Sequence, residues 1–371
     1  MKNIQQVKPY DVIVVGGGLA ACLAAIRSKQ GLGAQGKVAL IDKGYAGCSG
    51  QTPFAAGVFL AYDPGQHKLE EWLLEIIRAG DFLNDQAWCR KTLEKSLEAV
   101  QFLNQCAADK GLEAFRKNSD GSFFRNQSRG HQKTNHLIGS FASIMKVLRK
   151  VVQATGVEIF DRVMITDILV ENGLPSGLLG LAHREQKLYL FNAGVYILAA
   201  SGSGFKSVYQ GHQALTGDLQ AAALEAGIVL RNLEQYYANT TSRYLVIPYR
   251  VGYLKSADTL QKASVEAERI EKDDIDRLSA RDGHTLMRAI ECRSMIRLAQ
   301  AMIKASLFRT ESRGFHFRKD FPHTDNVNWL KWVFVQKDDS TTAAKGLKLS
   351  TCDVPLPYYR PDTADIEKQN D

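Results

Sequence analysis

Much of what this chain does is bounded by what it lacks. Its six cysteines, Cys22, Cys48, Cys89, Cys106, Cys292 and Cys352, occur singly. No C-x-x-C occurs and no spacing suits zinc or an iron-sulfur cluster, so no metal is expected and the thiols read as reduced, in a cytoplasmic protein. The opening MKNIQQVKPY has no apolar stretch of the export type, and no run approaches a membrane span, so membrane insertion is not expected. Lysine and arginine outnumber aspartate and glutamate by 47 to 40, a net charge of +7, but they are scattered rather than gathered into the stripe that nucleic acid requires. There is no G-x-x-x-x-G-K-[ST] loop and no Ser-His-Asp pattern. With 45% hydrophobic and 23% charged residues over 371 positions, the chain has the balance of a soluble globular protein and room for one large and one smaller domain.

The strongest positive feature is Tyr10 to Lys43, which reads as strand, glycine turn, helix, strand and closing acid. Val12 to Val15 form a short buried strand. Gly16, Gly18 and Ala21 follow at G-x-G-x-x-G/A spacing: a tight turn, a close backbone approach to a pyrophosphate, and a small residue for helix-on-sheet packing. The helix from Leu19 to Ser28 presents its free N–H groups and positive dipole end to phosphates. Val38 to Ile41 form the second strand, and Asp42 at its end is placed to accept hydrogen bonds from a ribose.

Past this unit, the small-residue loop GYAGCSGQTPFAAGVFLAYDPG is suited to run along a flat ligand. Amphipathic helices are expected at Leu69 to Arg78 and Asp85 to Ala107, the latter with Trp88, Leu93, Leu97, Val100 and Leu103 as core, and another at Phe141 to Gln153. The period then shifts to two, giving short strands at Val157 to Asp161, Val163 to Val170, Gly177 to His183, Lys187 to Phe191 and Val195 to Ala200, with a turn at Glu171-Asn172-Gly173. The last strand runs into a second glycine turn, LAASGSGFKS, and a helix starts at Asp218 after LTGD. Helices at Leu260 to Lys272 and His284 to Arg309 make a C-terminal bundle, and the tail after Trp332 reads as extended.

Taken in order, GGGLAAC, SGQTPFAAG, LAASGSGFKS, TGDLQAAALEAG and TESRGFHFRKDFPHTDNVNWLKW resemble the flavoprotein subunits of fumarate reductase and succinate dehydrogenase, and also L-aspartate oxidase and the adenylylsulfate reductase α-subunit. The resemblance implies an α/β fold: a Rossmann-like two-part FAD-binding domain with a β-meander insertion, plus a small C-terminal helical domain. The expected boundaries are 1–245 for the FAD-binding domain, with a helical insertion at 66–110 and a meander at 157–192, then a linker at 246–258 and a C-terminal domain at 259–371.

Carried over residue by residue, the resemblance assigns Gly16, Gly18 and Ala21 to the pyrophosphate turn and Asp42, with Lys43 beside it, to the adenosine ribose. Ser49 and Gly50 fall on the segment that passes the isoalloxazine. Some relatives have a flavin-linked histidine where this chain has Gly50, so non-covalent FAD is implied. Val163 and Met164 stand at the adenine, Ala200 and Gly202 in the A-T-G-G turn, and Asp218 in the G-D-G segment, with Ser201 and Leu219 replacing family glycines.

Departures matter equally. Ala238 and Asn239 stand where the family has a substrate-facing histidine and proline, and Thr240 to Asp258 is too short for the family's capping domain and its proton-delivering arginine. On residue type, Arg129, His131, His136 and Arg313 are candidates for catalysis, while Glu311, Arg313 and His316 also read as an ion-pair network at a helix end. Two readings follow. One is an FAD oxidoreductase or electron-transfer subunit with an incomplete substrate site, a small organic acid, a protein partner and a homo-oligomer all remaining open. The other is a catalytically silent scaffold or interaction subunit.

Overall fold

In the computed structural model, which describes residues 4–55, 57–206, 211–235, 252, 254–340 and 346–361, a short strand Ile4–Gln6 (β1) precedes the apolar run Tyr10–Val15 (β2), helix Leu19–Leu32 (α1) and strand Val38–Asp42 (β3). β2 and β3 pair in parallel, with Val12 opposite Val38. The side chains of Ile13, Val14, Ala39, Leu40 and Ile41 are all fully buried. Unbroken burial of this kind needs both sheet faces covered, which is why the run is continuously apolar rather than alternating. α1 turns Ala21, Cys22, Ala25 and Ile26 inward, small enough for the helix to lie close on the sheet.

Next come strand Val58–Leu60 (β4), helices Leu69–Ala79 (α2) and Gln86–Ala108 (α3), and strands Arg125–Gln127 (β5) and Asn135–Ile138 (β6). The three strands make a small antiparallel sheet in the order β4-β6-β5. The Asp85 carboxylate caps α3 by accepting from the Trp88 backbone N–H at 3.1 Å. Trp88 itself is 63% exposed. It therefore leaves the core that its spacing predicted, because it lies in the first turn of α3, while Leu93, Val100 and Leu103 are buried.

Helix Phe141–Ala154 (α4) leads to Glu158–Asp161 (β7), which joins the parallel sheet beside β3. The inserted meander accordingly begins at β8 rather than at 157. It consists of Val163–Glu171 (β8), Leu174–Ala182 (β9) and Lys187–Phe191 (β10), successive antiparallel neighbours, with β1 parallel to β10 at its edge. Asn172 and Gly173 both adopt positive φ, 52° and 77°, the geometry a two-residue hairpin needs. Ala193–Leu198 (β11) then returns beside β2, completing the parallel order β11-β2-β3-β7. One core cluster joins this sheet to α1 and α4, and another joins its opposite face to the meander.

Helix Asp218–Glu225 (α5) is followed by the two-residue strands Leu230–Arg231 (β12) and Leu254–Lys255 (β13), then helices Ala257–Arg269 (α6) and Gly283–Phe308 (α7). Capping boxes start both helices, Ser256 with Thr259 and Asp282 with Thr285. Phe317–Arg318 (β14) pairs with β13. Lys331–Lys337 (β15) and Leu347–Asp353 (β16) form an antiparallel hairpin that β12 extends to three strands. This part of the tail, expected as extended chain, thus builds a sheet, with Val333 and Val335 fully buried against α5 and α7. Ala238, Asn239 and most of the stretch from Thr240 to Asp258 lie outside the described residues. Among the described residues, no helix is long and apolar enough to cross a membrane.

Candidate functional site

A cleft of ≈ 330 Å³ opens at the carboxyl ends of β2, β3 and β11, the edge at which parallel sheets of this kind bind ligands. Its floor is the turn between β2 and α1. Gly16 has φ +126°, and a Cβ there would lie 2.3 Å from the Ala199 carbonyl oxygen. Only glycine fits on both counts. Gly18 is the N-cap of α1 and brings no side chain to its N–H groups, nor is there an acidic residue in the first turn. The helix N-terminus therefore turns the positive end of its dipole to the cleft, with the Leu19 N–H meeting Thr52 Oγ1 at 3.5 Å.

Gly16, Gly18, Asp42, Lys43, Ser49, Gly50, Val163, Met164, Ala200, Gly202 and Asp218 all line this one cleft. Ala21, the remaining residue expected at the cofactor, is fully buried beneath it in the α1 interface. That is the packing position its spacing indicated. Asp42 accepts the Ser49 hydroxyl at 2.7 Å. Burial pushes its carboxyl up, against the opposing pull of Ser49. The loop that carries Ser49 is pinned from outside: Arg149 of α4 donates to the Ala46 carbonyl at 2.8 Å and to Asp161 at 2.7 and 3.1 Å. Gly50 has φ +77°, and a Cβ there would meet nothing within 4 Å, so the cleft has room beside it. Ser201, at a family glycine position, keeps the left-handed backbone with φ 64°.

Lys43 is a bracket more than a ligand. Its ammonium donates to Thr216 Oγ1 at 2.6 Å, Asp218 Oδ2 at 2.6 Å and Glu291 Oε1 at 3.0 Å. Thr216 and Glu291 escaped the reading of the sequence. Thr216 was within reach, as part of LTGD, but Glu291 is one acid in a long helix with no local signal. Thr52, in the SGQTPFAAG block, also lines the cleft, and its Oγ1 lies 3.1 Å from where a Gly18 Cβ would stand.

The four catalytic candidates are not brought to the cleft. Arg129 is exposed on a loop. In that same region His131 Nδ1 lies 3.5 Å from Glu75 Oε2 and His136 Nδ1 lies 3.2 Å from Ser128 Oγ. Arg313 is buried in another part of the molecule, donating to Glu311 at 2.8 and 2.9 Å, to the Asp81 carbonyl at 2.8 Å and to Asn326 at 2.8 Å. Its neighbour Arg309, fully buried, donates to Glu234 at 2.9 Å and Glu311 at 2.6 Å. Lys255 completes this network, donating to the Glu234 carbonyl at 2.7 Å and to His316 Nδ1 at 3.1 Å. Among the described residues, no cluster of histidine, cysteine or acids could hold a metal ion.

Residues 11–256 match the FAD binding domain family, and residues 246–363 match the fumarate reductase flavoprotein C-terminal family. One subunit of the fumarate reductase (CoM/CoB) of Methanothermobacter marburgensis is 28% identical over 62% of this chain and 42% of its own length. L-aspartate oxidase of Neisseria meningitidis is 26% identical over 60% of this chain and 43% of its own. The chain thus spans less than half the length of these curated relatives. In fold, it superposes on E. coli quinol fumarate reductase FrdA with a TM-score of 0.84 at 14% identity, covering 97% of this chain and 99% of that one. Adenylylsulfate reductase of Archaeoglobus fulgidus superposes with a TM-score of 0.76 at 14% identity, covering 96% and 97%.

Proposed function

We propose, from the premise that this chain belongs to the FAD binding domain family and carries the C-terminal region of a fumarate reductase flavoprotein, that the cleft at the ends of β2, β3 and β11 is its FAD seat. The turn that only glycine can make, ending at a helix N-terminus whose N-cap residue brings no side chain, carries this reading. Gly16 and Gly18 would admit the pyrophosphate, the N–H groups of α1 would face its charge, and Asp42 would take the ribose. Val163 and Met164 would border the adenine, and Ser49, Gly50, Ala200 and Gly202 the flavin side. When bound, FAD supplies reversible redox chemistry, and the protein supplies binding, orientation and field. Gly50 offers no side chain for a covalent link, which supports non-covalent binding.

The chemistry beyond the cofactor is proposed at the level of an oxidoreductase or electron-transfer subunit that works with a protein partner. Relatives described as subunits support the partner. No dicarboxylate site is proposed, because Arg129, His131, His136 and Arg313 all lie outside the lining of the cleft. Reconstitution with FAD followed by gel filtration tests the reading: the protein peak should keep a flavin absorption spectrum, and acid precipitation should release all of the colour. A yellow pellet would overturn non-covalent binding. A colourless protein would overturn the cofactor seat and leave the scaffold reading in its place.

A further inference from the structure

Two of the segments that line the cleft, the end of β3 and the start of α5, are both held from a third direction. Glu291, on α7, is 2% exposed. One of its carboxylate oxygens accepts from Lys43 at 3.0 Å, and the other accepts from Lys206 at 2.6 Å and Arg288 at 3.1 Å. Lys43 spends its remaining N–H groups on Thr216 and Asp218 at the head of α5. An ammonium has three donors, and all three are engaged within the protein. Glu291 is the contact that fixes the third and so orients the other two. A second contact acts in the same place: at Gly217, where φ is +71°, an added Cβ would lie 2.2 Å from Leu298 Cδ1, so the head of α5 is seated directly on α7. Burial pushes the Glu291 carboxyl up, but Lys43 and Lys206 outweigh it and hold the group low, so the bracket stays ionised.

We infer that Glu291 is a positioning residue for the cofactor site: it holds Lys43 so that the β3 end and the α5 head keep the spacing that the adenosine half of FAD requires. The inference rests on the cleft being the FAD seat. It assigns a C-terminal helix, remote in sequence from both glycine turns, a part in cofactor affinity without contact to the cofactor. Lys43 also gains a defined alternative: without Glu291 its freed donor is no longer tied to α7, and the bracket loosens toward the cleft.

The test titrates the full chain with FAD and separately with ADP, which shares only the adenosine diphosphate half, and records the thermal midpoint of each cofactor-free variant. Glu291→Gln should weaken FAD and ADP by the same factor, about tenfold for one lost charge-assisted bond. Glu291→Asp keeps the charge that compensates the surrounding cations but withdraws it from Lys43. It should weaken both ligands by a smaller common factor, and it carries the test if the Gln variant fails to fold. Arg288→Gln, which removes a half-exposed partner of Glu291 outside the cleft lining, should leave both affinities unchanged. Wild-type affinity in both Glu291 variants would overturn the inference while leaving the FAD seat intact, as would equal losses in Arg288→Gln. Absence of FAD binding by the wild-type chain would instead sink the reading beneath it. A lowered thermal midpoint with unchanged affinities would make Glu291 a stabilising residue only.

Discussion

Gly16 and Gly18 stand two residues apart in one turn, yet they are constrained by different things. At Gly16 the backbone adopts φ +126° and the Ala199 carbonyl fills the space a Cβ needs, so the fold itself demands glycine. Gly16→Ala should cost roughly 1–3 kcal/mol of stability from backbone strain alone, read as a lower urea midpoint even without cofactor. Gly18 is different. Its backbone is ordinary, with φ −80°, and a Cβ would meet only Thr52 Oγ1 at 3.1 Å. Gly18→Val should therefore fold with a near-normal midpoint but fail to retain FAD on gel filtration. An undiminished affinity in Gly18→Val would show that the phosphates do not approach this backbone.

Between α7 and β15, the segment containing Glu311, Arg313 and His316 is held almost entirely by buried polar groups, which makes it sensitive to acid. His316 is fully buried, its Nε2 3.2 Å from the Arg309 carbonyl and its Nδ1 accepting from Lys255. Burial, reinforced by the neighbouring Lys255 ammonium, pushes its pKa down to about 2. The unfolded chain takes the proton near pH 6.5, about the ordinary histidine value. Folding therefore gains a contribution that is full above pH 6.5 and is lost as pH falls toward 2, because the unfolded state binds the extra proton in that window. Urea titrations from about pH 6 down to about pH 4 should show a wild-type stability slope steeper than that of His316→Gln, approaching about 1.4 kcal/mol per pH unit. Parallel slopes would mean that His316 is protonated in the folded state. Elements with a strong local pattern were legible from the sequence: β2, α1 and β3 carry both their apolar pattern and their glycines between Tyr10 and Asp42. The β15–β16 hairpin was not, because lysine and threonine dilute its alternation and its burial comes from α5 and α7. Trp88 misled for the converse reason: helical spacing marks a face but not where along the helix that face is covered. The network around Arg309 had a visible half in TESRGFH, while Glu234, 75 residues away, could be joined to it only by the fold.

At the scale of the whole molecule, the cleft gathers nearly every residue expected at the cofactor and none of those considered for catalysis. Turning over a dicarboxylate requires substrate clamps and a group that moves a proton at carbon in a water-poor pocket. Nothing among Arg129, His131, His136 and Arg313 lines the space where that would happen. The FAD-loaded chain by itself should accordingly show negligible succinate oxidation or fumarate reduction, while reducing small artificial electron acceptors. Steady-state turnover of either acid at roughly 1 to 1000 per second would sink this expectation and require one of those four side chains to reach the flavin. The bond from Lys43 to Glu291 also has a bearing on how the protein is made. Its two ends are 248 residues apart, and at translation rates of about 5–20 residues per second the first waits on the order of 10–50 s for the second. Throughout that interval the nascent chain holds Lys43 and the end of β3 without their partner on α7, so this contact forms only once α7 has been synthesised.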